Sequence, residues 1–184
     1  YLAQSLYTGG KVMIHLASSR SSSSLSDFDI SQVQPNAIDL KVDKIFSIDD
    51  NTFSISESGK NHRGSTGPKE TDEDGYWRLE VGTYEIIMEG EITIGPDEAG
   101  FVITRSTLNR NGLFITSGLY DSGYSGVMAG ALHVGVGVAR IQRGTRVGQF
   151  LLFKAEALNQ YDGNYGSGSE HDQLYKDNLQ MELI

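Results

Sequence analysis

Two short stretches carry side chains suited to chemistry on a charged ligand. The first covers residues 105–112, directly after a run that reads as a β-strand. Its pattern predicts one or two turns of helix, with Ser106 as the N-cap and Gly112 just past the end. Free N–H groups at the helix start, the Ser106 hydroxyl and the guanidinium groups of Arg105 and Arg110 together suit phosphate oxygens. An ordinary capped turn with exposed arginines also explains this octet.

The second stretch is the glycine-dense segment 118–126. Its glycines let the backbone approach a flat ligand closely, and Tyr124 is spaced to stack on a sugar or a base. Asp121 is a candidate to polarise a water molecule. A β-hairpin turn that contains an aspartate for its turn chemistry explains the segment equally well.

Composition limits the classes of partner. The 184 residues fit one domain, without an apolar run that could span a membrane or a signal-like leader. We therefore expect a soluble protein of the cytoplasm, or of the host cytoplasm if its source is viral, with no membrane partner. A net charge of -9 argues against a nucleic acid polymer as partner but leaves a single nucleotide open. Cysteine is absent and the four histidines are scattered, which argues against a protein-built zinc site.

The elements that must hold these stretches are short apolar runs separated by glycine-rich turns, which predicts an all-β fold. Apolar residues alternate, with some irregularity, in three places, and further strands are predicted elsewhere: alternation at 38–42, 77–81 and 147–152, strands at 84–88, 91–94, 99–104 and 127–138. Two polar stretches, 18–26 and 56–75, are expected to be irregular surface loops. Residues 161–169 are expected to form a mobile arm, and the first twenty residues favour neither strand nor helix.

In this order the segments resemble the superfamily of trimeric dUTPases and dCTP deaminases. The resemblance spans about residues 34–168. Four segments are similar to the family's successive motifs and a fifth to its glycine-rich C-terminal arm: residues 34–40 with Asp39-Leu40, 105–112, 118–126, 146–150 and 165–168. Tyr120 stands where the family usually has isoleucine, and the arm lacks the arginine that dUTPases commonly place before the glycine-rich run.

The resemblance implies a distorted jelly-roll β-barrel, with residues 1–160 as the barrel domain and 161–184 as an arm and tail that close over the active site. It also implies a homotrimer with active sites at the subunit interfaces, Mg²⁺ as cofactor and dUTP as substrate. The implied roles are as follows: Arg105, Ser106, Arg110 and Gln149 for phosphates, Gly118 and Leu119 for the uracil edge, Tyr124 for deoxyribose, Asp121 for the attacking water, Asp39 for the magnesium hydration shell, and Tyr165, Gly166 and Ser167 in the closing arm.

The resemblance also separates hydrolase from deaminase. Deaminases of this family carry a proton-shuttling glutamate ten residues beyond the aspartate of the third motif, where this chain has Ala131. A methyl group cannot transfer protons, so hydrolysis of dUTP to dUMP and pyrophosphate is favoured. Four glutamates lie elsewhere in the pattern and cannot be assumed to substitute: Glu80, Glu85, Glu89 and Glu91. The alternatives are a dCTP deaminase, a bifunctional deaminase and diphosphatase, and a non-catalytic nucleotide-binding regulator of the same fold.

Overall fold

The structure is a computed structural model that describes residues 12–169 and Tyr175. Within this part of the chain there are thirteen strands, one α-helix and one 3-10 helix. Their bounds are β1 Met13–Ile14, β2 Ser24–Leu25, the 3-10 helix Ile30–Gln32, β3 Ile38–Ile48, β4 Ser54–Ser56, β5 Gly59–Asn61, β6 Ser65–Pro68, β7 Tyr76–Leu79, β8 Gly82–Thr93, β9 Glu98–Thr104, α1 Ser106–Arg110, β10 Leu113–Thr116, β11 Ser125–Val134, β12 Ala139–Gln142 and β13 Arg146–Lys154.

The strands form one large antiparallel sheet and two small pairs. The main path through the nine-stranded sheet is β1-β13-β3-β8-β11-β10, while β2 pairs with β8, β6 with β3, and β9 with β13. The two small pairs are β7 with β12 and β4 with β5. The predicted all-β, jelly-roll architecture is confirmed.

The alternating apolar residues of the long strands face the core. Three of them in β3 and three in β13 are 0–1% exposed: Ile38, Leu40, Val42, Val147, Phe150 and Leu152. Full burial of such a side chain stabilises the fold by about 1.5–3 kcal/mol. The pairing of β13 with β3 shifts register between Arg146 and Gly148, and this shift explains the irregular apolar spacing of β13 in the sequence.

One long strand replaces two predicted ones. Residues 84–88 and 91–93 all lie in β8, and Ile94 follows directly after its end. Gly90 allows the strand to continue, because it has a φ of +81° and passes close to the chain at Ser26. A Cβ at Gly90 would lie 2.5 Å from the Ser26 carbonyl oxygen, so a larger residue would not fit.

The predicted strand 127–138 ends earlier than expected. β11 runs from Ser125 to Val134, and residues 135–138 form an exposed turn in which Gly137 has a φ of +61°. The apolar run in the sequence continues past the end of the strand. Its last residues do not belong to the core, since Val136 and Val138 are 64% and 48% exposed.

The expectation that residues 18–26 are irregular is partly wrong, because a distant carboxylate orders the serines. Glu98 is fully buried and accepts hydrogen bonds from the backbone N–H groups of Ser22 and Ser23 and from the hydroxyls of Ser21 and Ser23. Lys154 Nζ lies 2.6 Å from Glu98 Oε1. The segment then continues into β2. Composition could not reveal this order, because it depends on a residue about 75 positions away.

The expectation that residues 56–75 form an irregular loop is also partly wrong. β4 and β5 form a hairpin, and β6 adds to the edge of β3 with Ile48 opposite Ser65. Backbone pairing of this kind does not require buried apolar side chains, so a polar sequence can adopt it.

No helix within residues 12–169 is long and apolar enough to cross a membrane. Residues 1–11, 170–174 and 176–184 lie outside the described part of the chain. Most of the predicted tail falls within these residues.

Candidate active site

A large cavity opens beside the segment 118–126. It has a volume of about 920 Å³ and is lined mainly by aromatic, aliphatic and glycine residues. Four of the predicted binding residues line it: Gly118, Leu119, Tyr124 and Tyr165. Other predicted residues lie outside its lining: Asp39, Arg105, Ser106, Arg110, Asp121, Gln149, Gly166 and Ser167.

Two tyrosines fix the wall formed by the third motif. The hydroxyl of Tyr120 donates to the Ala129 carbonyl oxygen at 3.0 Å, and that of Tyr124 donates to the Val127 carbonyl oxygen at 2.7 Å. Their ring centroids are 5.2 Å apart, and burial raises the pKa of Tyr120. Tyr120, where the family usually has isoleucine, therefore packs in the core and adds a hydrogen bond to β11.

Asp121 lies in the exposed turn between these tyrosines. Its backbone carbonyl accepts a hydrogen bond from the Tyr124 N–H at 3.0 Å, and Gly123 completes the turn with a φ of +85°. The Asp121 side chain is exposed. The carboxylate is therefore accessible to a ligand. Its role as the general base stays a prediction.

A buried carboxylate joins the first, second and fourth motifs. Asp39 is fully buried, and its Oδ1 accepts a hydrogen bond from Gln149 Nε2 at 2.9 Å. Its Oδ2 lies 3.3 Å from Arg105 Nε and 3.6 Å from Arg146 Nη1. Asp39 therefore orients two of the predicted phosphate-binding side chains, Arg105 and Gln149.

The same contacts bear on the predicted magnesium role of Asp39. A fully buried carboxylate that already faces two guanidinium groups does not fit direct ligation of Mg²⁺, which retains water and octahedral geometry. Among residues 12–169 and Tyr175, no group of three or more His, Asp or Glu side chains is arranged to hold a metal ion.

The short helix differs from its prediction at one end. Ser106 is the first residue of α1, and Arg105 is the N-cap without a side-chain capping bond, so the prediction of Ser106 as N-cap is wrong. The reason is that the Arg105 carbonyl already accepts from the N–H groups of Leu108 and Asn109, while its side chain turns to Asp39. The Ser106 hydroxyl stays exposed at the helix start.

The other end of α1 agrees with the sequence. Asn111 is the C-cap, and Gly112 follows with a φ of +74°, as expected for the residue after a helix. Arg110 lies in the last turn and is exposed.

The described part of the arm packs against the turn before β11 and against the first residue of that strand. The N–H of Tyr161 donates to the Ser122 carbonyl at 2.8 Å, and that of Ser167 donates to the Ser125 carbonyl at 2.6 Å. Gly166 is buried at this crossing, where a Cβ would lie 2.7 Å from the Ser125 oxygen. The expectation that residues 161–169 form a mobile arm that closes over the active site remains a prediction.

The β4–β5 hairpin also approaches the arm. Lys60 Nζ lies 5.4 Å from the centroid of the Tyr165 ring, within cation–π range. Phe53, His62 and Arg63, which flank or follow the hairpin, line the cavity. Part of the polar stretch 56–75, which was expected to be a surface loop, thus lines the cavity.

The sequence identified Glu85 as one of four glutamates but did not predict that its carboxylate lies in the cavity. Glu85 of β8 pairs directly with Ala131 of β11, and both residues line the cavity. The hydroxyl of Tyr175 donates a hydrogen bond to Glu85. Only the pairing register of β8 with β11 could have revealed this neighbour.

The chain is similar to proteins of one family. A family model described as dCTP deaminase-like matches residues 10–155. A relative from Halobacterium salinarum, named a probable deoxyuridine 5'-triphosphate nucleotidohydrolase, is 35% identical over 138 residues, or 73% of this chain and 82% of the relative. A relative from Methanopyrus kandleri with the same name is 32% identical over 76% of this chain and 91% of its own length.

One further relative and one solved structure are named for the other activity. A dUMP-forming dCTP deaminase from Beutenbergia cavernae is 28% identical over 79% of this chain and 78% of its own length. The crystal structure of a 2'-deoxycytidine 5'-triphosphate deaminase from Agrobacterium tumefaciens superimposes with a TM-score of 0.55 and 17% identity. That match covers 74% of this chain and 45% of the other, so it shows a shared fold alone.

Proposed function

The chain belongs to the dCTP deaminase-like family, and from this membership we propose that it hydrolyses dUTP to dUMP and pyrophosphate. Relatives that are 30–35% identical over 72–76% of the chain are named as probable dUTP nucleotidohydrolases and support this assignment. The chain is accordingly a nucleoside triphosphate hydrolase.

The observation that carries the proposal is the position of Ala131 in the cavity. This residue lines the same cavity as Gly118, Leu119 and Tyr124, at the place where the family's deaminases carry glutamate. A methyl group there leaves room for a base and removes the acid that deamination uses. The base would enter between Tyr124 and Tyr165.

The remaining predicted residues then act on the phosphates. Arg105 and Gln149, oriented by Asp39, together with Ser106 and Arg110, would neutralise the charge on the phosphate oxygens. Asp121 would accept a proton from the water that attacks the phosphorus, and the bond to pyrophosphate would break. The site works mainly through positioning.

The division of the site supports a homotrimer. The residues proposed for the base line the cavity, whereas those proposed for the phosphates do not. A shared site in which one subunit supplies the base cavity and its neighbour the phosphate groups would unite them. We also propose that residues 1–160 form the barrel domain and that 161–184 act as the closing arm and tail.

We propose that Mg²⁺ binds to the site together with the substrate. The triphosphate itself would supply most of the ligands, and the ion would neutralise charge on its oxygens. Asp39 would contribute at most through the water shell, since its oxygens face Arg105, Arg146 and Gln149.

The test is to incubate the purified protein with each deoxynucleoside triphosphate and Mg²⁺ and to identify the products. We expect dUMP and pyrophosphate from dUTP, no ammonia from dCTP, and a trimer by sedimentation at micromolar concentration. Binding of dUTP without turnover would instead favour the non-catalytic regulator. A stable monomer would contradict the shared site.

A second candidate function, dCTP deamination, is favoured by Glu85. Its carboxylate lies opposite Ala131 on the neighbouring strand and could replace the glutamate that Ala131 lacks. Ammonia release from dCTP that disappears in Glu85→Gln would establish this function.

A further inference from the structure

The pairing of β8 with β11 brings a carboxylate into the base cavity. Glu85 and Ala131 are directly opposed in register. Opposed residues of antiparallel strands point to the same face, with Cβ atoms about 4.5–5.5 Å apart. Because Ala131 carries only a methyl group, the residue opposite Glu85 on β11 takes up little of the cavity beside the Glu85 side chain.

Glu85 is chemically distinct from the rest of the cavity. It is the sole carboxylate among the described residues that line the cavity, where most side chains are aromatic, aliphatic or absent at glycine. It is half-buried, so water screens its interactions less than it would at the surface. An ionised carboxylate accepts hydrogen bonds and cannot donate them, so such a group distinguishes an N–H edge of a flat ligand from an edge that carries a lone pair.

Tyr175 holds this carboxylate in place. Its hydroxyl donates to Glu85, its backbone carbonyl accepts from Lys44 Nζ at 2.9 Å, and its ring centroid lies 5.9 Å from that of Phe46. Phe46 is in turn opposite Glu85 in the pairing of β3 with β8. Within the described part of the chain, the Tyr175 hydroxyl bonds one carboxylate oxygen of Glu85, and a carboxylate has a second acceptor atom that can bond a ligand.

We propose that Glu85 is the specificity-determining residue for the base: its carboxylate accepts the N3–H of uracil and disfavours cytosine, whose N3 is an unprotonated acceptor. The inference rests on the proposed dUTP hydrolysis and adds to it a side chain that reads the pyrimidine. An ionised carboxylate can only accept hydrogen bonds, so it pairs with a ring N–H and repels a ring lone pair. A site built to bond an N–H rejects an analogue that lacks it.

The experiment compares wild type, Glu85→Gln and Tyr175→Phe, with Glu80→Gln as the matched control. Glu80 is exposed, pairs with Arg78 and lies outside the cavity lining. For each protein, kcat/KM for pyrophosphate release is measured with dUTP and with dCTP, ammonia release from dCTP is assayed, and binding of non-hydrolysable analogues of both nucleotides is measured by calorimetry.

In Glu85→Gln we expect the preference for dUTP over dCTP to fall about 10- to 100-fold, because the carboxamide can present an N–H to the N3 of cytosine. Tyr175→Phe, which keeps the ring but loses the hydroxyl, should lower the preference about 2- to 10-fold. Glu80→Gln should retain it. If Glu85→Gln does not fold, Tyr175→Phe carries the test.

An unchanged preference in Glu85→Gln, or in a folded Tyr175→Phe where Glu85→Gln is unfolded, would overturn the inference. A wild type that prefers dCTP and releases ammonia, with both properties lost in Glu85→Gln, would also overturn it and make Glu85 an acid/base residue. A wild type without dUTP hydrolysis would remove the proposed function, and the calorimetric preference of the variants would still decide the role of Glu85.

Discussion

The amide of Gln149 donates a hydrogen bond to the buried carboxylate of Asp39 at 2.9 Å, directly across the pairing of β13 with β3. Two motifs that lie about 110 positions apart in the chain therefore meet in one contact. Since Arg105 lies 3.3 Å from the other oxygen of Asp39, the carboxylate positions two side chains proposed for the phosphates.

Asp39→Asn should reduce both stability and activity. The substitution leaves the guanidinium groups of Arg105 and Arg146 without their anionic partner, and we expect a loss of about 1–3 kcal/mol in the free energy of unfolding. The kcat/KM for dUTP should fall as well. Urea unfolding and steady-state kinetics measure the two effects. Asp43→Asn is the control, because its pair with Arg143 is partly exposed and should change stability by less than about 1 kcal/mol.

Asp121→Asn should slow turnover without weakening binding. The amide keeps the shape of the side chain but removes the basic oxygen, and loss of a positioned base costs about 10²- to 10⁴-fold in rate. Affinity for a non-hydrolysable dUTP analogue should stay the same or increase, since no phosphate contact is lost. Asp50→Asn, at another exposed aspartate, is the control. Near-normal turnover in Asp121→Asn would exclude Asp121 as the base.

Gly166→Ala should displace the arm while leaving the barrel folded. Gly166 has a φ of +114°, and an added Cβ would lie 2.7 Å from the Ser125 oxygen. Gly168→Ala is the matched control, because Gly168 also has a positive φ, +90°, but a Cβ there would meet nothing within 4 Å. We expect turnover to fall further in Gly166→Ala than in Gly168→Ala, with the same trimer and similar unfolding. Equal turnover in both variants would separate arm docking from catalysis.

Removal of nearly all of the arm, by truncation after Gly163, tests its role more broadly. This end point keeps Tyr161, whose ring centroid lies 5.4 Å from that of Tyr124, but removes Tyr165 and Tyr175 from the cavity lining. Turnover of dUTP should fall strongly while sedimentation still shows a trimer, because the glycine- and serine-rich arm would order over the nucleotide. Retained turnover would remove the arm from the mechanism.

Glu98→Gln should lower stability in a pH-dependent manner. Burial favours the neutral acid, but Lys154, Ser23 and Ser22 outweigh it and hold the pKa of Glu98 at about 2, below its ordinary value of 4.5. A depressed folded-state pKa gives stability that is present above about pH 4.5 and is lost as the pH falls through about 2.

The difference in unfolding free energy between wild type and Glu98→Gln should therefore be about 2–3 kcal/mol at pH 7 and should shrink towards pH 2. Denaturant unfolding across this range measures it. The exposed Glu156→Gln is the control and should show little change at any pH. A difference that does not vary with pH would show that packing, and not the charge, makes Glu98 important.

Apolar alternation was sufficient to predict the strands that build the core. The sequence of β3 identifies its buried face directly, since Ile38, Leu40 and Val42 alternate with more polar positions. In contrast, the serines at 21–23 have no local pattern that predicts order, because their partner Glu98 lies on another strand. Local composition predicts the order that a segment has by itself, whereas the order of these serines depends on hydrogen bonds to Glu98.

The candidate site shows the same limit. The motifs identified the residues around the cavity, such as Gly118 and Tyr124, but not the contact of Asp39 with Arg105 and Gln149. Glu85 lies elsewhere in the motif pattern, so the sequence does not predict that strand pairing makes it a neighbour of Ala131. Register is a property of two strands together, so reading one strand at a time could not predict it.

The two tyrosine hydroxyls that donate to the backbone of β11 also have a kinetic consequence. Because Tyr120 and Tyr124 are tethered to Ala129 and Val127, this wall of the cavity has its shape before a ligand arrives. Little conformational freedom is left for it to lose on binding, so the ordering cost falls on the arm. Association of the nucleotide with the cavity should then be fast. The residence time of the nucleotide should be set by the rate at which the arm opens.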